Sequence, residues 1–149
     1  MNSLCTLSEA FEYSKRDKIE EWIHMFLHDE GDNFELSDGL KLEKRFFIGP
    51  IKIPLKLFER CCGPEENIKY KIDEIGFNER VCSIINRYKD GWDMPPLIIN
   101  YCKGKFVLND GNHRYEALVR SYITEYYAIV WITDYEDYQR FNTEYNCFI

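Results

Sequence analysis

One short run of residues combines types and spacing suited to binding a phosphate. The run Asp110–Arg114, with the sequence DGNHR, follows the apolar run Lys105–Leu108 and precedes a helix-like stretch. This order predicts a strand, a tight glycine turn and the start of a helix. The first N–H groups of a helix lack internal partners and carry partial positive charge, and an arginine adds a planar, two-pronged donor. The run therefore predicts a phosphate site.

Each residue of this run has a predicted role. Gly111 permits the tight turn and the close approach of a ligand, and Asn112 is a natural N-cap. His113 can donate to a phosphate or move a proton near neutral pH, and Arg114 can hold a phosphate bidentately. Asp110 can orient the histidine or the arginine, or hold a metal ion that also touches phosphate. The alternative is structural, with Asp110 capping the turn and Arg114 pairing with an acid.

The composition predicts one folded domain. The chain has 149 residues, of which 45% are hydrophobic, and its net charge of −7 opposes bulk attraction to nucleic acid or anionic membranes. Its six cysteines form no C-x-x-C pair, and no Cys/His cluster has zinc spacing, so no metal site is predicted from them. There is no signal-peptide pattern and no stretch apolar enough to span a bilayer, which predicts a cytoplasmic protein with reduced thiols.

The first half of the chain predicts helix, loop and strand in that order. A helix is expected from Leu7 to about His28, with Thr6 and Glu9 at capping-box spacing. Residues 31–44 are polar and predict a loop. Two extended pieces follow within residues 45–53, separated by a Gly-Pro break.

The second half predicts alternating helices and strands. They are a helix capped by Asn78 and ending near Lys89, strands over 97–101 and 105–108 joined by a hairpin turn, a helix over about 112–121, a strand over 126–132, and a helix capped by Asp134. The order predicts an α+β fold in which a small mixed sheet is flanked by helices, with an N-terminal helix. The single domain is expected to comprise an extension (1–44), a core (45–133) and a C-terminal helix or tail (134–149).

Residues 95–118 resemble the ParB/sulfiredoxin superfamily. Its shared pattern is a double proline before a hydrophobic strand, a second strand, and a G-x-x-R-x-x-A turn that opens a helix. These parts correspond here to Pro95-Pro96 with residues 97–99, to residues 104–109, and to residues 110–118. With a similar first strand at 51–55 and a similar helix at 78–88, the resemblance covers about residues 45–133.

The resemblance implies a compact ParB/sulfiredoxin-like fold that binds a nucleotide through Asp110, Gly111, Asn112, His113 and Arg114. Partition proteins of this superfamily bind and hydrolyse CTP, sulfiredoxins use ATP, and a free serine kinase carries the related turn D-G-H-H-R. The implied activity is phosphoryl transfer to a small hydroxylated substrate or nucleotide hydrolysis. The implied cofactor is ATP, ADP or CTP with Mg²⁺.

Candidate catalytic residues are His113 and, as the base for the acceptor hydroxyl, Glu65 or Glu66. The kinase relatives carry an acidic residue near that position, and Glu59 is an alternative. Asn112 stands where sulfiredoxins have their catalytic cysteine, so sulfinic acid reduction is not expected.

Two other functions stay open. One is a ParB-like nuclease or DNA-associated domain. The net negative charge and the lack of a basic stretch interspersed with aromatic residues count against it. Centromere DNA binding is not expected, because residues 133–149 are too few for the helix-turn-helix domain of partition proteins. The other is a non-catalytic binding module, in which the turn holds an anion and another surface holds a protein partner.

Overall fold

The computed structural model describes residues 3–149. Within this range the helices are α1 (Leu7–Lys15), α2 (Ile19–Leu27), α3 (Phe34–Leu40), α4 (Glu74–Lys89), α5 (Asn112–Arg120) and α6 (Tyr135–Glu144). The strands are β1 (Phe46–Pro54), β2 (Cys62–Gly63), β3 (Tyr70–Lys71), β4 (Leu97–Cys102), β5 (Lys105–Asp110) and β6 (Glu125–Ile132). The predicted α+β fold is confirmed. No helix in residues 3–149 combines the length and the apolar character needed to cross a membrane.

The main sheet has four strands in the order β1-β6-β4-β5. The central pair β4 and β6 is parallel, while β1 pairs with β6 and β5 pairs with β4 in antiparallel fashion. The predicted hairpin turn between β4 and β5 is confirmed, with Lys103 and Gly104 both at positive φ. The hairpin makes β5 an outer strand, and its last residue, Asp110, leads directly into the DGNHR turn.

Successive residues on the sheet alternate between two hydrophobic cores. Ile98 and Ile129 face one core, which they share with α1, α2 and α3. Their neighbours Ile99 and Val130 face the other core, which they share with α5 and α6. Because successive strand side chains point to opposite faces, this alternation places helices on both sides of the sheet. The predicted small mixed sheet flanked by helices is thus the middle layer of the fold.

The single N-terminal helix expected over residues 7–28 is wrong, because two helices occupy that range. Asp17 takes a left-handed backbone conformation with φ of 56°. Its N–H donates to Ser14 O (3.0 Å), and the N–H of Lys18 donates to Tyr13 O (2.8 Å). These two bonds form a Schellman motif, which ends α1 without a glycine. The predicted cap is confirmed, since the Thr6 hydroxyl accepts the N–H of Glu9 (3.1 Å).

Two further helix predictions need correction. Residues 31–44 are not all loop, because Asn33 caps α3 by accepting the N–H of Leu36 (3.2 Å). The helix α4 starts four residues before the expected cap Asn78. Asp73 caps it instead, by accepting the N–H of Gly76 (2.7 Å). In both cases a short polar residue supplies the acceptor that the first turn lacks.

Two smaller expectations are also modified. The two extended pieces of residues 45–53 form one strand, β1, in which the pairing with β6 shifts between Ile48 and Ile51. Asp134 is the N-cap residue of α6 as predicted, but its side chain makes no capping hydrogen bond.

Replacing Ile129 with alanine is expected to lower the free energy of unfolding by about 2–5 kcal/mol, because it opens a cavity between the sheet and the N-terminal helices. Urea denaturation followed by far-UV circular dichroism and by tryptophan fluorescence measures this loss. Both signals should change in a single transition. Val119→Ala, at an exposed position on α5, is the control and should change stability by less than about 0.5 kcal/mol. Two separate transitions would contradict the predicted single domain.

Candidate functional site

The DGNHR turn lines a cavity of about 210 Å³. All five residues of the turn contribute to its wall. The remaining walls come from residues 30–33, between α2 and α3, from Arg80 and Ile84 on α4, from Cys62, and from Asn109 at the end of β5. The cavity therefore lies where the first helix layer, α4 and the start of α5 meet.

Gly111 is the N-cap residue of α5 and has no side chain to cap the helix. Its φ of 103° lies in the region that favours glycine. A Cβ at this position would lie 2.7 Å from Leu97 Cδ2 and 3.0 Å from Arg114 Nη2. The glycine therefore permits both the turn and the close packing beneath it, and it leaves the first N–H groups of α5 without a side-chain acceptor.

Asp110 and Arg114 form a buried ion pair beneath the turn. Arg114 Nη2 lies 3.5 Å from Asp110 Oδ2, and the two side chains are 11% and 9% exposed. Arg114 Nη2 also donates to Pro96 O (2.9 Å), and Asp110 Oδ1 accepts from Asn33 Nδ2 (3.1 Å). The Nε of Arg114 is buried without a hydrogen-bond partner among the described residues. The acid that Arg114 pairs with is thus the aspartate of its own motif.

His113 is a half-buried imidazole at the cavity wall. Its ring packs against Phe77 with the centroids 5.0 Å apart. Burial and, to a smaller extent, the positive charges of Arg80, Arg114 and Arg60 together lower the pKa of His113 to about 4. The ring is therefore neutral at pH 7, with one nitrogen free to accept a proton.

Asn112 holds a distant loop rather than capping α5. Its Oδ1 accepts the N–H groups of Cys61 (2.8 Å) and Cys62 (3.2 Å). The N-cap position predicted for Asn112 belongs to Gly111. Because of this double hydrogen bond, the backbone at Cys62 closes one side of the cavity.

The two glutamates predicted as candidate bases do not line this cavity. Glu65 pairs with Arg60, which lowers the pKa of the Glu65 carboxyl, and Arg60 Nε also donates to Glu116 (3.0 Å). Glu66 is exposed and pairs with Lys71 (2.8 Å). Both line a second cavity of about 640 Å³, together with the alternative candidate Glu59. Their role as the base stays a prediction.

The contribution of α4 to the site was not predicted from the sequence. Arg80 lines the turn cavity, and Arg80, Ser83 and Arg87 all line an adjoining cavity of about 340 Å³. These three residues have the spacing i, i+3, i+7, which places them on one helix face. That spacing is the signal that could have found them.

The adjoining cavity is more apolar than the turn cavity. Its wall includes Phe26, Trp92 and Pro95, and it shares Arg80 and Arg114 with the turn cavity. The guanidinium of Arg87 lies over the Trp92 ring, 3.9 Å from its centroid. A polar cavity and a partly aromatic one thus lie side by side.

Carboxylates that could approach a cation are few at this site. Within residues 3–149 no three His, Cys, Asp or Glu side chains are placed to hold a metal ion together. Both oxygens of Asp110 already have partners, Asn33 and Arg114. Glu30 and Asp32 also line the turn cavity.

Comparison with known proteins gives a distant likeness of fold. No protein-family model matches the chain, and no curated protein matches it. The chain is similar to the crystal structure of sulfiredoxin from Arabidopsis thaliana, with 15% sequence identity and a TM-score of 0.43. The likeness covers 66% of this chain and 98% of the sulfiredoxin chain. It assigns neither a ligand nor an activity.

Gly111→Ala is expected to destabilise the protein by about 2–3 kcal/mol, because alanine is strained at this φ and its Cβ would contact Leu97. Gly39→Ala is the matched control, since that glycine has an ordinary helical backbone and a Cβ there meets no described atom within 4 Å. The control should be neutral or slightly stabilising. Denaturant midpoints of both variants test this, and equal midpoints would contradict the role given to Gly111.

His113 is expected to make the protein less stable in mild acid. Its pKa of about 4 in the folded protein lies below the unfolded value near 6.5, so the unfolded chain binds the extra proton between those values. This contribution to stability is complete above about pH 6.5 and is lost as the pH falls towards about 4.

The variant His113→Gln removes that titration. The difference in unfolding free energy between wild type and variant should change by about 2 kcal/mol from about pH 7 to pH 4, a discounted figure because the half-buried ring is partly screened by solvent. Denaturation curves across that pH range measure it. A constant difference would show that His113 keeps an ordinary pKa.

Proposed function

We propose that this protein binds a nucleotide through its phosphates at the DGNHR turn and transfers or hydrolyses a phosphoryl group. One observation carries the proposal: the uncapped N-terminus of α5, Arg80 and Arg114 all line the same cavity of about 210 Å³. A helix N-terminus and guanidinium groups are the donors that phosphate oxygens prefer. Their convergence supports a site for more than one phosphate oxygen.

The charge of the cavity supports a nucleotide that carries a divalent cation. Three carboxylates (Glu30, Asp32 and Asp110) and two guanidinium groups (Arg80 and Arg114) line the cavity, and His113 is neutral. A bare polyphosphate would meet a net negative wall, whereas its magnesium complex would not. Glu30 and Asp32 are the residues that would approach the cation, and the cation would neutralise charge on the phosphates.

The adjoining cavity supports a place for the nucleoside. Trp92 offers aromatic surface and Ser83 offers a hydroxyl, while Phe26, which is 1% exposed, only contributes to the wall. Nucleobases pack well against aromatic side chains, and a hydroxyl can bond to polar edges of a base or sugar. The phosphates would then lie at the turn, next to Arg80, which lines both cavities.

His113 is the proposed proton acceptor. As a neutral imidazole it can take the proton of a water molecule or of a hydroxyl on a small acceptor. A bound phosphate places negative charge beside the ring, which raises the pKa of His113 from about 4 towards neutrality. The N-terminus of α5 and Arg80 would stabilise the charge on the transferred group.

Arg80→Ala is expected to abolish stabilisation by nucleotides while leaving the fold intact, because Arg80 is exposed on α4. Arg114→Ala is a poorer test, since it would leave Asp110 buried without its partner. The measurement is a thermal-shift panel with ATP, ADP, CTP and GTP, each with and without Mg²⁺. At about 100 times the dissociation constant, a nucleotide should add roughly 2.7 kcal/mol to the wild-type stability.

Lys89→Ala, at the last residue of the same helix, is the matched control and should behave as wild type. The nucleotide that stabilises most is then assayed for phosphate release with and without small hydroxylated acceptors. Binding without turnover would leave the non-catalytic module as the function. The absence of stabilisation by every nucleotide would refute the proposal.

A further inference from the structure

The N-terminal helices supply part of this site through one amide. We infer that Asn33 is a positioning residue that holds Asp110 and, through it, Arg114 in place for phosphate binding. The inference rests on the proposed function, because it concerns the same cavity. It assigns a role in that site to the extension 1–44, which lies outside the region that resembles the ParB/sulfiredoxin superfamily.

Both ends of the Asn33 carboxamide are used. Its Oδ1 accepts the N–H of Leu36 (3.2 Å) and so caps α3. Its Nδ2 donates to Asp110 Oδ1 (3.1 Å), across 77 positions of the sequence. An asparagine can serve as cap and donor together, whereas an ionised aspartate has no donor. A serine hydroxyl can donate, but it lies one bond closer to the backbone than the amide nitrogen and so does not extend as far towards Asp110.

The position of Asn33 is set by the packing of α3 on α2. Ser37 of α3 is fully buried, and its hydroxyl lies 2.7 Å from His24 Nδ1 and 3.1 Å from His28 Nε2. Leu40 joins the same core. These contacts fix α3, so that its cap presents the amide N–H to the end of β5.

Asp110 depends on that amide for its orientation. One of its oxygens accepts from Asn33 and the other faces Arg114, whose Nη2 also donates to Pro96 O. The hydrogen bond from Asn33 fixes one carboxylate oxygen and so leaves the other aimed at the guanidinium. Without it, the carboxylate of Asp110 would be free to rotate away.

A carboxylate at position 33 would reverse this effect. The charged and titratable groups that line the cavity with Asp110 are Arg114 and His113 from α5, Arg80 from α4, Glu30 and Asp32 from the connection between α2 and α3, and the thiol of Cys62. Arg114 pairs with Asp110 Oδ2, whereas a carboxylate at position 33 would face the other oxygen, Oδ1, so that two carboxylates would share one space. Such a pair holds one proton with a raised pKa.

The test compares Asn33→Asp with Asn33→Ser, which both retain a capping acceptor for α3. Without any nucleotide, unfolding is measured from about pH 4.5 to pH 8. The raised pKa of the carboxylate pair means that stability present at low pH is lost as the pH rises through that pKa. The stability of the Asn33→Asp variant should therefore fall relative to that of Asn33→Ser as the pH rises. For a pKa raised by one unit, the folding equilibrium constant should fall by at least about tenfold.

The second readout is binding of magnesium pyrophosphate, measured by calorimetry at about pH 7.5. Asn33→Ser should bind several-fold more weakly than wild type, and Asn33→Asp at least about tenfold more weakly, with affinity partly recovered at lower pH. The exchanged pair Asn33→Asp with Asp110→Asn restores a donor and an acceptor. It should remove the pH-dependent loss of stability.

Parallel pH profiles and unchanged pyrophosphate affinity in both variants would overturn the role of Asn33. The nucleotide-free profiles test the contact with Asp110 independently of any ligand. Wild-type protein that binds neither pyrophosphate nor any nucleotide would refute the proposed function, and with it the role in binding. The stability profiles would still show whether the contact exists.

Discussion

The ion pair between Asp110 and Arg114 is the interaction on which the cavity depends. A buried charge that loses its partner costs about 3–5 kcal/mol, so the two groups must stay together. Further hydrogen bonds to the pair come from Asn33 before α3 and Pro96 before β4, and Arg114 itself lies in the first turn of α5. The pair thus joins the N-terminal helices, the sheet and α5 at one point, and it holds the cavity in shape before any ligand arrives.

Elements with strong local patterns could be predicted from the sequence. The strands β4 and β6 carry continuous apolar residues, and the glycine turn into α5 stands between clear strand and helix patterns. The break after α1 had no such signal, because Asp17 takes the left-handed conformation usually left to glycine. The short helix α3 was missed since its stability comes from contacts such as that of Ser37 with α2.

The candidate site could be predicted only where it is continuous in sequence. The DGNHR run was found, together with the alternative that Arg114 pairs with an acid, and the structure places that acid at Asp110. Asn33 and Arg80 reach the cavity from elements far from the run in sequence, and only tertiary packing brings them there. For the same reason, the sequence could not show that Glu65 and Glu66 line a different cavity.

The side chain of Asn112 also constrains the path of a loop that is distant in sequence. Its single carbonyl oxygen receives two backbone N–H groups, from Cys61 and Cys62. A neutral imidazole offers one acceptor nitrogen, and that nitrogen lies on a rigid ring, so a histidine at this position could not receive both. A histidine at position 112 would therefore leave one of these two N–H groups without its acceptor. The side chain at position 112 and the path of residues 61–62 are thus coupled, so that a change in one requires a change in the other.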